Sequence, residues 1–161
     1  MVGLVLNEEG YVTYPYDVFI HIEDYVKSLN WRITNVECGG DDTDYIFPFV
    51  QCDDNFIDGD SLFEIIKDHP RIQWWWGTIS GFPKDVLWED IKKNPVIDLT
   101  VEQPYLKNKL HHLEPKAVFE LIAFDSTETY VLIDDPTIAA CIRLAFPKSE
   151  NLDKYVFDNG I

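Results

Sequence analysis

Ala117-Val-Phe-Glu-Leu-Ile-Ala-Phe124, Asp125-Ser-Thr-Glu128, Thr129-Tyr-Val-Leu-Ile-Asp134: two apolar runs flank four residues of turn chemistry. β-Branched and aromatic side chains favour strands, and a four-residue connection closes an antiparallel hairpin. Pro136 follows at once, where a first helical turn tolerates it. Ile138, Cys141, Ile142 and Ala145 then place one apolar stripe on a helix running to about Phe146. A sequence-local hairpin next to a helix predicts an α+β fold, a mainly antiparallel sheet with helices packed on it.

Working upstream, Arg71 to Ser80 reads as a strand bounded by Pro70 and Gly81, and Trp31 to Cys38 alternates like another until Gly39-Gly40-Asp41-Asp42 breaks it. The segment before Thr13 predicts a short strand with a turn at Glu8-Glu9-Gly10. Phe19, Ile22, Val26 and Leu29 predict one helix from Tyr16 to Leu29. A second helix is expected after Asp60 or Ser61, with Ser61 and Glu64 forming a reciprocal capping box. Val86 to Lys93 predicts a short helix. Val96 to Val101 and Tyr155 to Phe157 predict strands, and Tyr45 to Gln51 an edge strand interrupted by Pro48. Residues 102–116 read either as loop or as a helical turn between prolines.

The chain has 161 residues, which suits a single domain over 1–161. At 46 % hydrophobic and 14 % aromatic it is no disordered tail. The formal charge of −16 far exceeds the magnitude of about 2 to 8 that solubility requires. Such a field argues against nucleic-acid backbones and anionic lipid surfaces and favours a basic protein, a cation, or no specific partner at all. Cys38, Cys52 and Cys141 are odd in number and scattered, as expected of cytoplasmic thiols without a disulfide framework or zinc site. The first residues lack the basic region of a signal peptide, and no run of about eighteen apolar residues suggests a membrane span.

More than half the net charge lies between Glu37 and Asp68, where ten acids face Lys67 alone. Tyr45, Phe47, Phe49, Phe56 and Phe63 run through the same stretch. It reads either as a solvated loop above a core or as a recognition surface on which spaced carboxylates imitate phosphates and aromatics anchor. On the second reading the partner-binding residues are Asp41, Asp42, Asp44, Asp53, Asp54, Phe56, Asp58 and Asp60, together with Trp75. Asp54-Asn55-Phe56-Ile57-Asp58-Gly59 begins like a calcium loop but puts Phe56 at loop position 3 and Ile65 at position 12, where ligands are required. Within Trp74-Trp75-Trp76, strand alternation predicts Trp74 and Trp76 on one face and Trp75 on the other, with Gly77 allowing close approach.

Catalytic patterns are sparse. His111 and His112 are adjacent and diverge, His21 and His69 sit on or beside helices, and Cys141 lies on an apolar stripe. No nucleophile elbow, phosphate loop or dinucleotide fingerprint occurs. The chain is therefore expected to be non-enzymatic and without cofactor, its oligomeric state left open.

Trp31-Arg32-Ile33, Gly59-Asp60-Ser61-Leu62 and Thr129-Tyr130-Val131-Leu132, in the order helix, strand, acidic loop, helix, aromatic strand, hairpin and helix, resemble an uncharacterised family of small acidic bacterial proteins. That resemblance supplies no active site. In size and acidity the chain is also similar to immunity proteins of bacterial toxin systems, which implies a cytoplasmic inhibitor of a basic, nuclease-like toxin domain. The alternative is a ligand- or cation-binding regulatory domain using a Trp-lined groove.

Overall fold

The computed structural model describes residues 1–7, 13–40, 48–99, 110–125 and 127–159. In chain order these form β1 (Val2–Val5), α1 (Pro15–Phe19), α2 (Glu23–Lys27), β2 (Leu29–Gly39), a 3-10 turn (Pro48–Gln51), β3 (Asp54–Asp58), α3 (Gly59–Asp68), β4 (Gln73–Pro83), α4 (Trp88–Ile91), β5 (Phe119–Phe124), β6 (Glu128–Ile133), α5 (Pro136–Ala145), β7 (Glu150–Asn151) and α6 (Leu152–Asn159). The strands make one sheet in the order β3-β2-β4-β5-β6-β1-β7, with every pairing antiparallel. The fold is α+β. The hairpin pairs Phe119 with Ile133 and Phe124 with Glu128, one residue tighter than the sequence suggested, and Asp125 takes a left-handed φ of 49° that a short polar side chain tolerates.

Each face of the sheet buries its own set of side chains, because successive residues of a strand point to opposite sides. Phe119, Leu121, Val131 and Ile133 face Val18, Phe19, Val26, Leu62, Ile66 and Ile142 of the helices in the larger core. Trp31 is fully buried there, its indole N–H donating to the Val26 carbonyl at 2.9 Å and its ring meeting Phe19 and Phe119 at 5.3 and 5.7 Å. On the other face Ile122, Tyr130 and Leu132 pack with Leu99, Leu113 and Leu152.

Several expectations are corrected. The helix predicted over residues 16–29 is two short helices, with His21 in the break and Leu29 already in β2. Apolar spacing records which residues are buried, and a broken helix buries Phe19, Ile22 and Val26 as well as a continuous one. α3 starts at Gly59 instead of after Ser61, because Asp58 leaves β3 extended and caps the helix itself. Its carboxylate accepts the Ser61 amide at 3.0 Å and the Ser61 hydroxyl at 2.8 Å, so no capping box forms with Glu64. Residues 155–157 lie in α6, with Tyr155 and Val156 spaced from Leu152 so as to pack on the second face. Residues 96–99 form no strand, since Asn35 donates to the Ile97 carbonyl and ties that stretch across the sheet. The remainder of that predicted strand, residues 41–47 and the turn at residues 8–10 lie outside the described residues.

Candidate functional site

The sequence placed nine residues on one recognition surface; the sheet divides them. Asp41, Asp42 and Asp44 lie outside the described residues. Asp58 and Asp60 sit at the start of α3, with Asp58 opposite Asn30 of β2. Trp75 belongs to the other end of β2, where Trp76 pairs with Glu37 and Trp74 with Cys38. Seven residues of β2 separate the two levels, roughly 20 Å at strand rise. Asp54 and Phe56 are not free recognition groups. Both Asp54 oxygens accept from Arg32, at 2.9 and 3.0 Å. The Phe56 ring packs edge-on against Trp88 at 5.4 Å and lies under the Arg32 and Lys92 cations. Both are held by structure because β3, read from the sequence as acidic loop, is a strand paired along β2 from Asn30 to Thr34.

The expected arrangement of the tryptophans is also overturned. Register shifts interrupt the β2–β4 ladder: Thr34 pairs with Thr78, Glu37 with Trp76, and Cys38 with Trp74. β2 carries an extra residue near Asn35, whose φ is +56°, and β4 carries one at Trp75. An inserted residue breaks the two-residue alternation. Trp74 therefore enters the larger core while Trp76 packs on Phe124, at 4.8 Å, on the opposite face. Trp75 is left 41 % exposed, its ring over Gly39, where a Cβ would come within 2.5 Å of it. Gly77 admits the Trp74 ring in the same manner, at φ +146°. Exposed Glu37 and Asp53 lie at this end of the sheet, Asp53 beside Asn35, whose amide donates to its carbonyl at 3.2 Å.

A second cluster was not foreseen. Arg32, Ser80 and Glu120 occupy neighbouring positions on adjacent strands, and all are buried on the second face. Arg32 is 1 % exposed and also donates to Glu114, itself 1 % exposed, at 2.6 Å. The second Glu114 oxygen accepts from Asn94 at 3.1 Å. Glu120 is fully buried and accepts three donors, the amides of Leu113 and Glu114, both at 2.8 Å, and the Ser80 hydroxyl at 3.2 Å, while His112 Nδ1 lies 3.3 Å from it. His112 Nε2 lies 3.2 Å from Asp134. Burial pulls the Arg32 pKa down, but Asp54 and Glu114 hold it above its usual range. Burial lifts the Glu114 carboxyl and Glu120 adds to that, while Asn94 and Arg32 oppose it.

The sequence signal for this cluster was a charge at the centre of two apolar strands, Glu120 and Arg32. Alternation alone would have put both in solvent; only the segment lying over them buries them. Donors and acceptors within the cluster satisfy one another, which is how a buried polar network becomes a structural tie. Among thiols, burial pushes Cys38 up to about 11, which disfavours a reactive thiolate.

The calcium-like stretch has its two aspartates committed, Asp54 to Arg32 and Asp58 to the α3 cap. Among the described residues no cluster of three His, Cys, Asp or Glu side chains could hold a metal ion. Calcium at about 1 mM is expected to leave the melting temperature within about 1 °C, because a ligand at a hundred times its Kd would add about 2.7 kcal/mol and be plain in a melting curve. A rise of many degrees with calcium but not magnesium would contradict this.

No helix among the described residues is long and apolar enough to cross a membrane. No family model matches the chain, and neither a curated protein nor a solved structure matches it.

Proposed function

We propose that this protein is a non-enzymatic acidic binding protein for a basic protein partner, most concretely an immunity-type inhibitor of a basic, nuclease-like toxin acting in the cytoplasm. The observation that carries the proposal is Trp75, a large aromatic held 41 % exposed by a bulge in the half of the sheet where Glu37 and Asp53 are also exposed. Tryptophan at the centre of an interface contributes most of its energy by desolvation, whereas surrounding carboxylates steer a cationic partner and fix its orientation. The excess of −16 supplies the long-range part. Asp54 and Phe56 take no part, since they hold the sheet. Asp58 and Asp60 add to the field from the far end.

The test is inhibition and affinity with the purified product of the gene immediately upstream, assayed as a nuclease. A stoichiometric complex that silences the activity is expected. Trp75→Ala should weaken it by about 30-fold or more, the hot-spot range, without lowering the melting temperature. Raising salt from about 50 to 500 mM should slow association by roughly ten-fold and leave dissociation nearly unchanged. An upstream product that is not inhibited, or a Trp75→Ala variant that binds as tightly as the parent, overturns the proposal.

A further inference from the structure

Residues 111–116 cross the second face between Leu110 and β5 with no regular secondary structure, held by Leu113 in the second-face core and by a set of polar and charged contacts. The Leu113 and Glu114 amides both donate to Glu120 beneath them, and the Glu114 side chain reaches Arg32. Lys116, at a left-handed φ of 71°, contributes an exposed contact to Asp90 at 3.3 Å. His112 closes the arrangement, one ring nitrogen toward buried Glu120 and the other toward half-exposed Asp134 just beyond β6.

A neutral imidazole has one donor and one acceptor nitrogen, so a carboxylate on each side leaves one of them facing a lone pair; only the imidazolium donates to both. We propose that residues 111–116 are a pH-gated strap, fastened to the sheet by the protonated His112 ring between Glu120 and Asp134 and loosened when that proton is lost. With the imidazolium present, four carboxylates (Asp54, Glu114, Glu120 and Asp134) face two cations, Arg32 and His112. Without it they face one.

The other charged and titratable groups around the ring come from the strap itself and from the strands and helices near it. Glu120 comes from β5 and Asp134 from the end of β6, and Glu114 lies two residues along the strap itself. Arg32 of β2 and Asp54 of β3 stand behind Glu114. Asp135 is engaged at the α5 N-terminus, accepting from the Thr137 amide at 2.7 Å. Tyr25 of α2 senses Asp135 and Asp134, but burial pushes its phenol up to about 12, so it stays neutral. Burial opposes the charged form of His112, yet the Glu120 and Asp134 contacts prevail and raise its pKa above the ordinary 6.5. Because the folded value is raised, the stabilisation is complete below about 6.5 and disappears as pH climbs through the folded pKa. Opening the strap would bare the Arg32 guanidinium and the Glu120 carboxylate.

Amide hydrogen exchange on the full chain between pH 6 and 8.5 tests this, with each rate corrected for the intrinsic pH dependence and referred to Leu121 and Val131. Protection of the Leu113 and Glu114 amides is expected to fall about ten-fold over that range. In His112→Gln it should be low and flat with pH. Asp134→Asn, at the exposed side and safe for folding, should lower the His112 pKa read from its ring proton shifts and move the loosening to lower pH. A strap whose protection is constant in the parent, or falls equally in His112→Gln, overturns the proposal. So does a His112 pKa at or below 6.5, or one that Asp134→Asn leaves unmoved.

Discussion

Arg32→Ala is expected to remove about 3–5 kcal/mol of stability, the cost of breaking a buried ion pair from one side. Arg32 is the only cation bonded to the Glu114 carboxylate among the described contacts, and Glu114, at 1 % exposure, has no route to water in the folded state. Asp54 is partly exposed and would re-solvate. The loss therefore comes mainly from an orphaned Glu114 above an equally buried Glu120. In a chain of this length it should appear as a fall of about 10 °C or more in melting temperature. Denaturant unfolding monitored by tryptophan fluorescence gives the free energy directly. Pairing Arg32→Met with Glu114→Gln should recover more than half of the loss, because neutral groups of similar volume replace the pair without stranding a charge. A single-variant loss below about 1 kcal/mol would show that the cluster is not a dry tie.

Gly59→Ala should be nearly as damaging, although alanine ordinarily stabilises a helix by about 0.5–1 kcal/mol over glycine. A Cβ at residue 59 would lie 2.1 Å from the Val26 carbonyl oxygen and 2.8 Å from both the Leu29 oxygen and the Lys27 Cα. All three are backbone atoms of the α2–β2 connection, so no side-chain rotation relieves the clash. Either α3 or the α2–β2 corner must move, opening the core around Val26, Leu62 and Phe63. We expect a loss of about 3 kcal/mol, the upper part of the range for overpacking. Asp58→Ala, which removes only the cap, should cost about 1 kcal/mol. An alanine variant as stable as the parent would mean that α3 does not seat against Val26.

Both variants probe contacts between elements far apart in the chain, where the sequence was hardest to read. Local signals were legible. The hairpin β5–β6 announced itself by two apolar runs around a polar turn, and α5 by Pro136 and its apolar stripe. β4 was recognisable from its β-branched and aromatic content, and the antiparallel α+β class followed from these elements. β3 was not legible, because Asp54-Asn55-Phe56-Ile57-Asp58 has poor strand propensity and becomes a strand by hydrogen-bonding to β2.

The candidate site divides the same way. The acidity and the aromatic residues interspersed with it were properties of the chain, since charge and residue type need no fold to be counted. The sequence by itself also determined β4, β5 and β6 and, to within one residue, where the hairpin turns, because those depend on neighbours within a few residues. Tertiary structure alone decided which tryptophan is exposed. Two bulges in the β2–β4 ladder reset the alternation, and a bulge is a relation between two strands, not a property of one. It alone decided that Asp54 is a partner of Arg32 and not a free carboxylate, and that His112 sits between Glu120 and Asp134. A side chain's charge state and availability are set by the dielectric and the partners around it, and the fold supplies both from residues distant in sequence.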